Sequence, residues 1–432
     1  MKVDKEKVNL KEVKKIFFIG VGGVGISALA KLALDRGYEI SAINDGESKE
    51  TLDELRKKGV KIILGNDTEE FQNFDLIIYS VAWEQRAPEL MKKVFNSEIP
   101  VINYFEGLSL FTKEFLTVAV AGTHGKTTTT GMIKKAFENT DFDFNTIVGS
   151  ILSQNGSNYL KGKSNWFLVE ACEYKRHFLH LNPKVAVITN IEADHLDYYK
   201  DLDDILAAFL EFANKTEVVI LNKNDENVKK ILAKINSKII DYSPFVEEVK
   251  KMNLKVIGEH NFLNGAVVLA LAKYFEVDMK KIKNGLENFS GTWRRFEFMG
   301  EFQNGGKIYA DYAHHPTEIK TTLKAAREKF QKVFVIFEPH TFSRTKALAD
   351  EFGEAFQNAD EVFITPIYPA REEPLSGIDN NFLVEKIKKN NPKVFAKTLK
   401  EAFEEVKDKI SRDDVLMVLG AGDIYFDLKE VL

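Results

Sequence analysis

The stretch Ala119-Val120-Ala121-Gly122-Thr123-His124-Gly125-Lys126-Thr127-Thr128-Thr129-Thr130 constrains the fold most. Phe115 to Ala121 reads as a short buried strand and Thr128 onward as a helix. The glycine-rich turn between them leaves backbone N–H groups and a helix N-terminus facing one point. Such a nest suits a polyphosphate, with Lys126 reaching the outer phosphates and the Thr127 hydroxyl placed for Mg²⁺. Val120 stands where the longer form of the motif carries a further glycine, so the match is to the short variant G-T-x-G-K-T. A strand–turn–helix of this kind predicts an α/β fold with a mainly parallel sheet.

At 432 residues the chain is too long for one ordinary core, and two to three domains are expected. A hydrophobic content of 44% and a charged content of 29% are those of a globular chain. The net charge of -5 argues against nucleic acid as the main partner. A single cysteine, Cys172, leaves no disulfide framework and suits a reducing compartment. No apolar run reaches membrane-spanning length, and the charged N-terminus has no apolar leader, so a cytoplasmic protein is expected.

Lys15 to Gly20 is an apolar strand running into Gly20-Val21-Gly22-Gly23-Val24-Gly25, followed by a helix of small and apolar residues. A second strand, Tyr38 to Ile43, ends at Asp45. This is a βαβ unit with G-x-G-x-x-G and an acidic residue after the second strand. Taken alone it favours NAD, yet the glycines answer only to a pyrophosphate near the backbone. Further strands are expected at Lys61–Leu64, Leu76–Ser80 and Val101–Asn103, closing a first domain near residue 108. A second domain, residues 109–290, starts with the phosphate loop. Its later strands end in Glu170-Ala171-Cys172-Glu173 and in Asn190-Ile191-Glu192-Ala193-Asp194-His195. In an open parallel sheet ligands sit outside the carboxyl ends of the strands. Lys126, Thr127, Glu173 and His195 are therefore expected round one Mg²⁺-bound triphosphate. Taken singly, Glu173 is a solvated carboxylate and His195 a capping histidine; their shared position groups them. Ser153 to Asn158 reads as a polar loop, and Asn261 as a helix N-cap.

Residues 291–432 form a third domain whose strands end in Asp311-Tyr312-Ala313-His314-His315-Pro316, Glu338-Pro339-His340-Thr341-Phe342-Ser343-Arg344 and Gly420-Ala421-Gly422-Asp423. The His-His pair has no third ligand at zinc spacing.

In that order, GVGGVGISALA, AGTHGKTTTT, EACE, TNIEADHLD, GEHNFLN, RRFE, DYAHHPTE, EPHTFSRT, YPAREEP and GAGDI resemble the Mur ligases across essentially the whole chain. Within that family the resemblance is to the branch that joins L-alanine to UDP-N-acetylmuramate. It implies three α/β domains, each a mainly parallel sheet with flanking helices: a Rossmann-like domain for the UDP substrate, a central ATPase domain and a Rossmann-like amino-acid domain. It further implies ATP and Mg²⁺ as cofactors, UDP-N-acetylmuramate and L-alanine as small-molecule substrates, and an acyl-phosphate route to peptidoglycan precursors; no obligate protein partner is inferable from it. Bringing a carboxylate to a triphosphate crowds negative charge, which Lys, Arg and Mg²⁺ must offset.

The resemblance also assigns roles. Gly20, Gly22, Gly23, Gly25 and Asp45 resemble contacts to the uridine nucleotide. Gly122, Thr123, His124, Gly125, Lys126, Thr127 and Thr128 resemble the ATP loop, with Asn261 and Asn264 on the adenine side. Arg295 resembles a linker arginine reaching the γ-phosphate, and Asp311 a ribose contact. Lys126, Glu173, His195 and Arg295 would carry catalysis, with Thr127, Glu173 and His195 near metal. Tyr312, His314 and Arg344 resemble the residues that orient alanine. Thr341 stands where many members carry arginine, so the alanine carboxylate would rest on Arg344 alone. Ser80-Val81-Ala82-Trp83-Glu84-Gln85-Arg86 replaces a Ser-x-Asn-Pro stretch. Cys172 reads as packing, since this route needs no thiol. Several sibling ligases carry a carbamylated lysine fifteen residues after the histidine; here that place is Leu210, and no lysine occurs from Asp201 to Asn214.

Three other readings compete: a recycling ligase that joins a tripeptide to UDP-N-acetylmuramate, an NAD-dependent dehydrogenase, and an ATP-driven switch protein. The dehydrogenase leaves the phosphate loop unexplained, and the switch leaves the glycine loop and Arg344 unused.

Overall fold

The computed structural model describes residues 8–47, 49–152, 156–195, 198–256, 258–370 and 372–432. The chain forms two compact units, Met1–Lys255 with Phe262–Ser290, and Val256–Asn261 with Gly291–Leu432. Three sheets lie within them, as the α/β expectation requires.

In the first unit, β1 (Lys15–Ile19), β2 (Glu39–Asn44), β3 (Lys61–Leu64), β4 (Leu76–Tyr79) and β5 (Val101–Asn103) make a wholly parallel sheet in the order β3-β2-β1-β4-β5. Strand order reverses between β1 and β4, which creates a crevice at their carboxyl ends. The second sheet holds β6 (Leu116–Ala121), β7 (Asn145–Leu152), β8 (Ser157–Leu160), β9 (Trp166–Glu170), β10 (Val185–Ile188), β11 (Val218–Leu221) and β12 (Lys238–Asp241). Its order is β12-β11-β10-β6-β9-β7-β8, parallel except for β8. Runs such as VAVI in β10 are buried throughout, as expected of strands covered on both faces.

The polar stretch Ser153–Asn158 is not simply a loop. Residues 153–155 lie outside the described residues, but Ser157 and Asn158 open β8, antiparallel to β7. They pair because their polar groups are satisfied in the core. Lys31, 1% exposed, donates to Asn158 Oδ1 at 2.9 Å and to Ser157 Oγ at 3.4 Å, and it forms an ion pair with Glu54. Asn158 Nδ2 donates to Val24 O and to Ser27 Oγ. Helix Val24–Asp35 of the first sheet is thereby fixed to the outer hairpin of the second.

In the second unit, β13 (Glu297–Glu301), β14 (Lys307–Asp311), β15 (Val333–Phe337), β16 (Glu361–Ile364), β17 (Val394–Ala396) and β18 (Val415–Leu419) run in the order β13-β14-β18-β15-β16-β17. Only the edge strand β13 is antiparallel. Asn261 is not an N-cap; it lies in the first turn of helix His260–Tyr274.

Candidate active site

β6 lies between β10 and β9, so the loops after these three strands converge at one end of the second sheet. Gly125, with φ of +82°, forms the cap of helix Lys126–Phe137, a backbone shape costly for any residue with a Cβ. An added Cβ would also stand 2.7 Å from Asn264 Oδ1, which itself accepts from Thr129 Oγ1. The structure thus brings Asn264 to the phosphate loop.

Lys126 Nζ donates to Gly122 O at 2.5 Å, Thr123 O at 3.0 Å and Glu173 Oε1 at 2.9 Å. Thr127 Oγ1 donates to Glu170 Oε1, whose other oxygen accepts from Gly149 N. Thr123 and His124 are tied by backbone to Asn190, and the His124 ring points outward, 3.6 Å from Glu192. Thr128 sits half-buried in the first helical turn.

Glu173 Oε1 also lies 3.4 Å from His195 Nε2, which is 3.7 Å from Asp194 Oδ2. Burial would push the Glu173 carboxyl up, but Lys126 and His195 outweigh it and hold it below the usual range. The bond to Glu173 raises His195. Glu173 Oε2 is buried and lacks a partner. Ligand atoms of Glu173, Asp194 and His195 all lie within 4.8 Å of one another, the one such group among the described residues. An orphaned carboxylate oxygen beside a second carboxylate and an imidazole fits a hard divalent cation that keeps several waters. Asp194 joins this group, whereas the sequence had pointed to Thr127, Glu173 and His195.

Beside this cluster lies a cavity of about 220 Å³, lined among others by Gly25, Tyr104, Gly149, Glu170, Cys172 and His177. Burial and the neighbouring Glu173 push the Cys172 thiol up to about 11, which keeps it protonated and fits its packing role. On the first sheet, the glycine loop follows β1, and Gly22 N donates to Asn44 Oδ1 at 2.9 Å. Asp45 is paired with Arg86 at 3.2 Å.

In the second unit, Tyr312, His314 and Arg344 are linked through His340, which the sequence quoted in a motif but gave no role. The His314 ring lies 5.3 Å from that of Tyr312 and 5.8 Å from that of His340. His340 Nδ1 lies 3.1 Å from Arg344 Nη1. Burial lowers both histidines, His340 to about 4, so both imidazoles are neutral at pH 7 and Arg344 supplies the positive charge. His315 turns away and caps helix Pro316–Lys329, so the two histidines form no metal pair. Thr341 adopts φ of +67°, strained for a β-branched residue, and caps the helix that carries Arg344. Arg294 is buried, with its guanidinium 4.9 Å from the Tyr312 ring centroid and bonded to Gly420 O and Gly422 O. The Arg295 guanidinium also lies over Tyr312, 5.4 Å from the ring centroid. Asp311 accepts from Phe296 N and Ala313 N, which ties the linker to the end of β14. Glu338, 8% exposed, accepts from Ile424 N at 3.4 Å, and burial pushes it up to about 7.

Residues 15–116 match the description "Mur ligase family, catalytic domain", 120–250 "Mur ligase middle domain", and 294–422 "Mur ligase, glutamate ligase domain". The chain belongs to the Mur ligase family. It is 37% identical to a UDP-N-acetylmuramate–L-alanine ligase of Clostridium tetani, over 96% of this chain and 97% of that one. A protein of the same description from Sulfurihydrogenibium is 36% identical over 96% of each chain. The structure superposes on the UDP-N-acetylmuramate-alanine ligase of Thermotoga maritima with a TM-score of 0.79 and 27% identity, covering 96% of this chain and 97% of that one. A murein peptide ligase of Psychrobacter arcticus shares the fold, with a TM-score of 0.68, 22% identity, and coverage of 96% and 98%. In this Mur ligase the phosphate loop and the Glu173 cluster fall in the middle-domain match, and Tyr312, His314 and Arg344 in the C-terminal match.

Proposed function

We propose that the chain catalyses ATP-dependent ligation of L-alanine to the lactyl carboxylate of UDP-N-acetylmuramate, through an acyl phosphate, in peptidoglycan precursor synthesis. On this reading residues 1–108 bind the uridine nucleotide, 109–290 bind ATP, and 291–432 bind the amino acid. The reaction belongs in the cytoplasm, where both nucleotides are found; among the described residues no helix is long and apolar enough to cross a membrane.

The observation that carries the reading is the Lys126–Glu173–His195 cluster at the phosphate loop, in a chain whose relatives are described as L-alanine ligases. Thr127, Glu173, Asp194 and His195 would hold Mg²⁺, which when bound would neutralise phosphate oxygens and polarise the transferring group. Lys126 is held at the loop mouth by backbone carbonyls, ready to meet the outer phosphates. Glu170 orients the Thr127 hydroxyl. Arg344, flanked by neutral His340, offers a planar fork for the carboxylate of a small amino acid.

The test is phosphate release from Mg²⁺-ATP with UDP-N-acetylmuramate, adding L-alanine, glycine, L-serine or the tripeptide in turn. Release driven by L-alanine is expected. Release driven only by the tripeptide would assign the chain to the recycling reaction instead.

A further inference from the structure

The segment that departs from the Ser-x-Asn-Pro pattern packs against the glycine loop. Helix Trp83–Arg86 follows β4, and the loop follows β1, so the two stand on either side of the point where strand order reverses. Trp83 is 1% exposed. Its indole edge lies under Gly20, whose φ is +82°; a Cβ there would stand 2.4 Å from Trp83 Cδ1 and Nε1. One turn on, Arg86 Nη1 reaches Asp45 at 3.2 Å. Asp45 follows Asn44, which accepts from Gly22 N in the same loop. The short helix therefore touches the loop at Gly20 and reaches its far rim through Asp45 and Asn44.

Two donors on this helix are unsatisfied. Trp83 Nε1 and Arg86 Nε are both buried and have no hydrogen-bond partner. Trp83 Nε1 is packed under Gly20, whereas the Arg86 side chain is 30% exposed, so its Nη atoms are free to turn from Asp45 to an acceptor at the loop. Gly20–Gly25 contains no cationic side chain, and helix Val24–Asp35 starts without a side-chain cap. A diphosphate held there by backbone N–H groups would be bound more strongly with a charge-assisted partner. In a dinucleotide site the acidic residue after β2 is free for a ribose, whereas here Arg86 engages it.

We propose that Arg86 is the cation of the uridine-nucleotide site, exchanging its bond to Asp45 for the diphosphate of the ligand, with Trp83 fixing the Gly20 turn that presents it. This rests on the reading of the first domain as the uridine-nucleotide domain.

The experiment is calorimetric titration of the full chain with UDP at two salt concentrations, with ATP titration as a control for folding. Arg86→Gln is expected to weaken UDP at least tenfold and to flatten the salt dependence, with ATP binding unchanged. Arg86→Lys, which keeps the charge and loses the fork, should fall between. Native-like UDP binding and salt dependence in Arg86→Gln would overturn the role of Arg86 alone. A native chain that binds ATP but no UDP would overturn the uridine reading and this proposal with it.

Discussion

Lys126 Nζ lies 2.9 Å from Glu173 Oε1, and the second oxygen of that carboxylate is buried without a partner. The lysine assigned to phosphate therefore also offsets a buried negative charge. Lys126→Ala therefore removes more than a phosphate contact. The variant should lose at least ~10²-fold in turnover and also on the order of 2 kcal/mol in stability, because Glu173 is left poorly compensated. Adding Glu173→Gln should restore the stability but not the activity. Urea unfolding and phosphate release on both variants check this; a double variant no more stable than the single one would show that the pair does not matter to folding.

Arg344→Lys should weaken L-alanine selectively. Arg344 shares one side of its guanidinium with His340 Nδ1 at 3.1 Å, which fixes the fork in place. Lysine keeps the charge and loses a directed hydrogen bond of about 1.5–3 kcal/mol, so the KM for L-alanine should rise roughly 10- to 100-fold. The KM for ATP should not move. Steady-state kinetics decide it, and an unchanged alanine KM would place the carboxylate elsewhere.

Much of this site could be read from the chain because its residues follow long apolar runs. β6, β10 and β15 are almost wholly apolar, and the polar residues after them can only lie at a sheet end. Other parts were hidden for physical reasons. β8 begins with Ser157 and Asn158, which carry no strand signal; they pair because Lys31 and Ser27, far away in sequence, satisfy them. β13 and β17 are the edges of their sheet; β13 (EFMGE) mixes charged residues and glycine, and β17 (VFA) is only three residues long. Asp194 and His340 stood in motifs already singled out, but only folding shows which neighbours they meet. Trp83 and Glu338 look like ordinary surface residues until their burial is seen.

Glu338 provides a pH test. Burial, with Asp423 adding like charge, raises its carboxyl to about 7 from an ordinary 4.5, against the opposing influence of Ile424 N and Arg294. The folded state thus binds a proton that the unfolded state has already released between those two values. Below about pH 4.5 both states are protonated and nothing is lost; as pH rises towards 7 stability falls, by on the order of 3 kcal/mol in full. Glu338→Gln keeps the shape and an acceptor for Ile424 N while removing the charge. Its unfolding midpoint should exceed that of the native chain at pH 8 and match it near pH 4.5. Equal midpoints at both values would mean that the buried carboxylate is solvated on ionisation.

The last expectation concerns a lysine that this chain lacks. Several sibling ligases are implied to hold their second metal with a carbamylated lysine fifteen residues after the histidine. Here Leu210 occupies that place on helix Leu202–Asn214, packed against the core of the unit, and the helix contains no lysine. Lys200 and Lys215 flank it, and Lys215 Nζ donates to Leu179 O. A carbamate requires a lysine amine, and the ammonium seen at the Glu173 cluster is Lys126, bonded to two loop carbonyls and to Glu173. Asp194 stands instead beside His195 and supplies a carboxylate that needs no carbon dioxide. Ligation should therefore be indifferent to bicarbonate after exhaustive degassing, while a sibling ligase assayed alongside loses activity and regains it. Activity of this protein that falls on degassing and returns with bicarbonate would show that a modified lysine does reach the metal.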